Sequence, residues 1–114
     1  MDRSRVVVPK TLAGQTVRCL GALIEVYGHN HVDPRMAREL RRRRGELVSL
    51  IAEAGGGRLW APRLLIIRIS CQLETGAQRA ADSPVFAERL RRTRRATPKS
   101  GGPACQATMM LGYL

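Results

Sequence analysis

The stretch LLIIRISCQLE, residues 64–74, decides whether this chain carries a sheet. Leu65, Ile67, Ile69, Cys71 and Leu73 alternate with Arg68, Ser70, Gln72 and Glu74. In a strand, that period of two gives one apolar and one polar face. Wound as a helix, the same apolar side chains scatter around the circumference. The pattern therefore predicts a strand over 64–74. A lone strand is not stable. The other strand-like run is RVVVP at 5–9, whose proline suits a strand end or an edge, and the two are expected to pair. RLWAPRLL, from residue 58, reads as a connector, with Trp60 beside Pro62 as a packing anchor.

Upstream, PKTLAGQTVRCLGALIEVYG starts at Pro9 and repeats its apolar residues in helical steps at Val17, Leu20, Ile24 and Tyr27. It predicts a helix of about 11–28, N-capped by Thr11 and stopped by Gly28, with Gly14 and Gly21 weakening it. Asp33-Pro34 is the clearest local signal: a preferred N-cap followed by a preferred first helical residue. The helix it opens, 34–54, sets Met36, Leu40, Leu47, Ile51 and Ala54 within an arc of about 60° at roughly 100° per residue. Gly55, Gly56 and Gly57 end it. Spaced pairs Arg35–Glu39, Glu39–Arg43 and Arg42–Glu46 support it on its polar side.

Ser83-Pro84 repeats the cap-then-proline signal for a short helix to about residue 96. ATPKSGGPA then reads as a linker, and CQATMMLGYL as an apolar tail that either docks or stays loose. No internal repeat is evident. The expected architecture is a small, mostly helical α+β domain over 1–96, a helical hairpin packed on a short two-stranded sheet, with 97–114 as flexible linker and apolar C-terminal tail.

The chain has 114 residues, room for one domain and one modest core, and its low aromatic content (4%) leaves that core to Leu, Ile, Val, Ala and Met. Cys19, Cys71 and Cys105 are too widely spaced for a zinc ribbon or a thioredoxin-like pair, and their odd number suits a reducing compartment. The start of the chain shows no secretory apolar run, and no stretch reaches the roughly 18 apolar residues of a membrane span. The expected location is cytoplasmic, nuclear or nucleoid. Residues 1–30, acid-poor with only Asp2 and Glu25, also share the composition of a mitochondrial transit segment.

Enzyme signatures are weak. His29, His31 and Asp33 form a tempting metal-like triplet, but a zinc site needs three or four protein ligands, no third histidine exists, and Asp33 serves as a cap. Ser4, Ser49, Ser70, Ser83 and Ser100 lie in no nucleophile elbow. GGGR lacks the Gly-Lys-Ser/Thr ending of a phosphate loop, and Cys19 sits in an apolar segment. No catalysis, metal or cofactor is expected.

What remains is charge: +11 overall, with Lys10 and Lys99 the only lysines and 18 arginines. Arginine forks suit phosphate oxygens, although GC-rich coding also enriches arginine. Two windows concentrate the charge. Arg35, Arg38, Arg41, Arg42, Arg43 and Arg44 against Glu39 give +5, and Arg89, Arg91, Arg92, Arg94 and Arg95 against Glu88 give +4. On the 34–54 helix Arg35, Arg38 and Arg42 share one face, and Arg43 and Arg44 flank the apolar stripe. The leading expectation is a non-enzymatic accessory protein binding DNA or RNA without sequence preference, through arginine–phosphate contacts at those eleven residues. The alternatives are an adaptor that uses its amphipathic helix and tail to assemble with itself or an acidic protein, and an open reading frame with no selected role. A membrane surface is not the expected partner.

Overall fold

The computed structural model describes residues 4–28, 33–94 and 103–114. His29, Asn30, His31 and Arg95 lie outside the described residues, as does the ATPKSGG part of the linker. The order of elements is β1 (Arg5–Pro9), α1 (Lys10–Gly28), α2 (Pro34–Glu53), β2 (Arg58–Pro62), α3 (Arg63–Asp82), α4 (Pro84–Arg94) and α5 (Pro103–Leu111). The chain is thus mostly helical with one two-stranded antiparallel sheet, and α1 and α2 form the expected hairpin against it.

The strand partner of RVVVP is RLWAP, not LLIIRISCQLE. Residues 64–74 are helical, within α3, and the expected strand there is corrected. The cause is visible in what α3 buries. Leu65, Ile66, Ile69 and Leu73 are buried and Gly76 continues the row, a helical stripe in steps of three and four. The alternation joins three residues of that stripe, Leu65, Ile69 and Leu73, to two that lie off it: Ile67 is half-buried and Cys71 is exposed, while Ile66 and Ser70, outside the alternating apolar set, are buried. Read only to Glu74, a period of two overlays a period of 3.6.

The two strands pair through the register Arg5–Pro62, Val6–Ala61, Val7–Trp60, Val8–Leu59 and Pro9–Arg58. Val6, Val8, Leu59 and Ala61 point into the core, and the alternate residues point outward. Each strand ends in proline and feeds a helix with no loop between. The joints match as well: Lys10 N donates to the Gly57 carbonyl at 2.8 Å, and Arg63 N donates to the Ser4 carbonyl at 2.6 Å. The ribbon is therefore symmetric about a local two-fold axis through the Val7–Trp60 pair, and strand–helix–helix occurs twice along the chain.

Helix α1 is the centre of the core. Leu12, Ala13, Cys19, Leu20, Ala22, Leu23, Ile24, Val26 and Tyr27 are all buried, so it is enclosed on most sides, as an almost continuously apolar helix must be. It starts at Lys10, which puts Thr11 inside the first turn. Asp33 caps α2 as its sequence predicts, Oδ1 accepting from Met36 N at 3.1 Å. Ala37, Leu40 and Leu47 bury the apolar stripe of α2. The C-terminal segment docks: Ala107 and Met110 of α5 are buried, and the buried Gln106 donates from Nε2 to Thr16 Oγ1 (2.9 Å) and to the Leu12 carbonyl (3.3 Å).

Candidate nucleic-acid interface

Helix α2 sorts its arginines by burial. Arg35, Arg38 and Arg42 are exposed opposite the stripe that packs on α1, and Arg41, also exposed, stands at its side. Arg43 is 4% exposed and crosses that stripe. A charge taken from water needs partners, and both acids of the helix's basic half supply them: Nη2 lies 2.8 Å from Glu39 Oε1 and Nη1 lies 3.4 Å from Glu46 Oε1. Arg43 is therefore a structural residue, not part of the presented surface.

Glu39 and Glu46 turned toward Arg43 have little left for the outer face. Arg42 stands 3.9 Å from each, at the limit of an ion pair. The Arg35–Glu39 pair expected from spacing does not form, and Arg35, Arg38 and Arg41 meet no carboxylate among the described residues. Arg44 is half-buried and lies along α1, where a side chain at Gly21 would come within 3.5 Å of Nη1. Arg41 lies at the end of α1, where a Cβ at Gly28 would be 3.2 Å from Nη2. A helix C-terminus favours a cation.

The second window is partly neutralised. Glu88 takes Arg91 at 2.7 Å and Arg92 at 3.5 Å. Arg89 is half-buried with a partner inside the chain. Arg94 is the last residue of α4. The two windows begin at one end of the molecule, because a single junction holds both helix starts. Arg79 Nη1 lies 3.0 Å from Asp33 Oδ2, and Tyr27 packs against Phe86 with ring centroids 5.5 Å apart. The Tyr27 hydroxyl is buried there. Burial pushes its pKa above the usual phenol value, with nearby Arg79 opposing the rise and Asp33 adding to it.

The residues that sequence reasoning missed lie on the outer face of the sheet. Arg5, Val7 and Pro9 alternate outward on β1, and Arg58, Trp60 and Pro62 on β2. Trp60, expected as a packing anchor, is 60% exposed. Its strand turns the neighbours Leu59 and Ala61 inward, so the indole can only face out. Between this face and the end of α2 lies a groove of about 500 Å³ bordered by Arg5, Arg58, Trp60, Leu50 and Glu53 among others. The available signal was RLWAP itself, an outward–inward alternation ending in proline, as in RVVVP.

Among the described residues no three His, Cys, Asp or Glu side chains gather as metal ligands, and no helix is long and apolar enough to cross a membrane. Comparison with protein-family models, with curated proteins and with solved structures finds no match.

Proposed function

We propose that this chain is a non-enzymatic nucleic-acid-binding protein that grips phosphates through the outward arginines of α2. The observation that carries the reading is the convergence of Glu39 and Glu46 on the buried Arg43, which leaves Arg35, Arg38 and Arg41 without an acid among the described residues. Guanidinium forks held this way suit phosphate oxygens. Contacts of this kind position a protein on a backbone and carry no sequence information. The block on α4 adds a weaker field, since one glutamate answers two of its arginines.

Assembly through the apolar face of α2 has less support, because that face is spent on α1. The test is a variant with Arg35, Arg38, Arg41 and Arg42 all changed to Gln. Release of about four counterions predicts that the unaltered chain loses on the order of a hundredfold in affinity between 50 and 200 mM salt, and that the variant loses most of that dependence. Far-UV ellipticity should stay the same, because glutamine is a good helix former and all four sites are exposed. Unchanged affinity and salt slope in the variant would overturn the proposal.

A further inference from the structure

We propose that the outer face of the β1–β2 ribbon is a base-stacking site for single-stranded nucleic acid, with Trp60 as the platform. This deepens the phosphate-binding reading and rests on it. Trp60 is the only tryptophan of the chain and stands 60% exposed at the centre of the ribbon, paired with Val7 on the local two-fold axis. Outward Val7, Pro9 and Pro62 extend the indole into one apolar strip on the ribbon face, open beside a groove. What covers it is indicated by charge. Arg58 and Arg5 are the other long side chains on the outward face, and both border the same groove. An aromatic ring flanked by cations on a strand surface suits an unpaired base stacked on the ring, with its phosphates beside the guanidinium groups.

The groove also continues the basic face of α2. Glu53, on its border, projects at the helical angle of Arg35 and close to that of Arg42, so one track runs from the arginines to the tryptophan. From Arg42 to Glu53 the helix rises only about 16 Å, a span of a few nucleotides. Glu53 disfavours a phosphate in the groove itself and can accept from a base N–H, such as the ring imide of thymine. The base therefore belongs in the groove, and the backbone along the arginines.

A two-stranded ribbon also has the width to enter a duplex major groove, where base edges are read by hydrogen bonds. On this face only Arg5, Arg58 and the indole N–H can make them; Val7, Pro9 and Pro62 cannot. Nothing outward on the ribbon is placed to tell a ribose from a deoxyribose, so the site reads the unpaired base and its phosphates and accepts either sugar.

The experiment is a fluorescence titration of the full chain at low salt with a short oligothymidylate, an oligouridylate of equal length, a DNA duplex and heparin, a polyanion without bases. With excitation at the red edge of the spectrum, where the two tyrosines do not absorb, emission comes from Trp60 alone. The expected result is quenching by both single-stranded oligonucleotides and none by heparin. The variants lack the tryptophan, so their affinities are read from the anisotropy of a dye-labelled oligothymidylate: Trp60→Ala should bind it about 5- to 100-fold more weakly with unchanged ellipticity, and Trp60→Phe should keep most of the affinity. Binding without quenching, and unweakened in Trp60→Ala, would overturn the stacking site while leaving phosphate binding intact. Tighter binding of duplex than of either single strand would overturn the assignment to an unpaired strand. So would self-association that shields Trp60 without nucleic acid. If neither heparin nor any nucleic acid binds, phosphate binding fails and stacking falls with it.

Discussion

Arg79, in the last turn of α3, reaches Asp33 at the first turn of α2: Nη1 lies 3.0 Å from Oδ2, while Oδ1 accepts from Met36 N at 3.1 Å. One carboxylate thus performs two tasks, capping a helix and tying α2 to α3. The tasks differ in size. An N-cap is worth about 1 kcal/mol. The ion pair joins an arginine that is half-exposed, so screening holds it to under about 1 kcal/mol. Asp33→Asn keeps a capping oxygen and loses the charge, whereas Asp33→Ala loses both. Urea melts should place Asp33→Ala about 1–2 kcal/mol below the unaltered chain and Asp33→Asn less than half as far. Equal losses would show that the tie to Arg79, and not the cap, carries the stability.

Tyr27 sits in the same junction, and its buried hydroxyl has no hydrogen-bond partner among the described residues. Removing a buried, unpaired hydroxyl costs little. Tyr27→Phe should lie within about 0.5 kcal/mol of the unaltered chain at neutral pH, or above it. The two should separate in alkali. Up to about pH 10 the phenol is protonated in folded and unfolded chains alike. Above that the unfolded chain ionises first, because burial holds the folded value higher. Stability then falls as pH rises, by at most about 1.4 kcal/mol per pH unit, until the folded tyrosine ionises too. Denaturant melts from pH 9 to 11 should show this extra slope in the unaltered chain and not in Tyr27→Phe. Parallel curves would mean that Tyr27 is not held protonated by the fold.

Gly76 and Gly45 make opposite predictions for one substitution. A Cβ at Gly76 would lie 2.8 Å from both Leu23 methyl carbons, and Leu23 is fully buried with nowhere to go. Overpacking typically costs about 1–3 kcal/mol, against a helix-propensity gain of about 0.8–1. Gly76→Ala should therefore destabilise by about 1 kcal/mol. At Gly45, exposed on α2, a Cβ meets nothing within 4 Å, and the propensity gain stands alone. Gly45→Ala should stabilise by about 0.5–1 kcal/mol. Thermal melts of the two variants decide it. A neutral or stabilising Gly76→Ala would show that α1 and α3 do not approach as closely as described.

These contrasts mark what the sequence made legible. Asp33-Pro34 announced α2 because capping is local chemistry, and the stripe from Met36 to Ala54 announced its buried face because α2 packs on one side only. α3 escaped because it packs against several elements, α5 and α4 most extensively and α1 as well, so apolar residues recur too often for a clean helical period. RLWAP was passed over because five residues carry few periods, and only pairing with RVVVP makes them a strand. The basic windows were plain, but their sorting was not. Whether an arginine faces solvent or crosses a buried stripe depends on where the partner helix lies, and that separates Arg43 from its neighbours Arg42 and Arg44. Trp60 was misplaced for a related reason: a tryptophan is usually cover for a core, and only the inward turn of Leu59 and Ala61 shows that it cannot be.

Arg43 supplies the most discriminating prediction, because it should matter to binding without touching the ligand. It lies under the helix surface, yet it determines where Glu39 and Glu46 point. Arg43→Met retains length and apolar packing and removes the buried charge, and the partners it leaves behind are open to water, so the penalty of a stranded buried charge does not apply. The two carboxylates, each about two-fifths exposed, are then released to the outer face. Glu39 stands four residues from Arg35 and Glu46 four from Arg42, the spacing at which helix pairs form at a few tenths of a kcal/mol each. With one positive charge also lost, nucleic-acid affinity at low salt should fall by about fivefold while the melting temperature holds or rises. Adding Glu39→Gln and Glu46→Gln to Arg43→Met should restore the affinity, since no acid then competes with phosphate. If Arg43→Met binds as tightly as the unaltered chain, the division of α2 into a buried acid-collecting arginine and a free outer row is wrong.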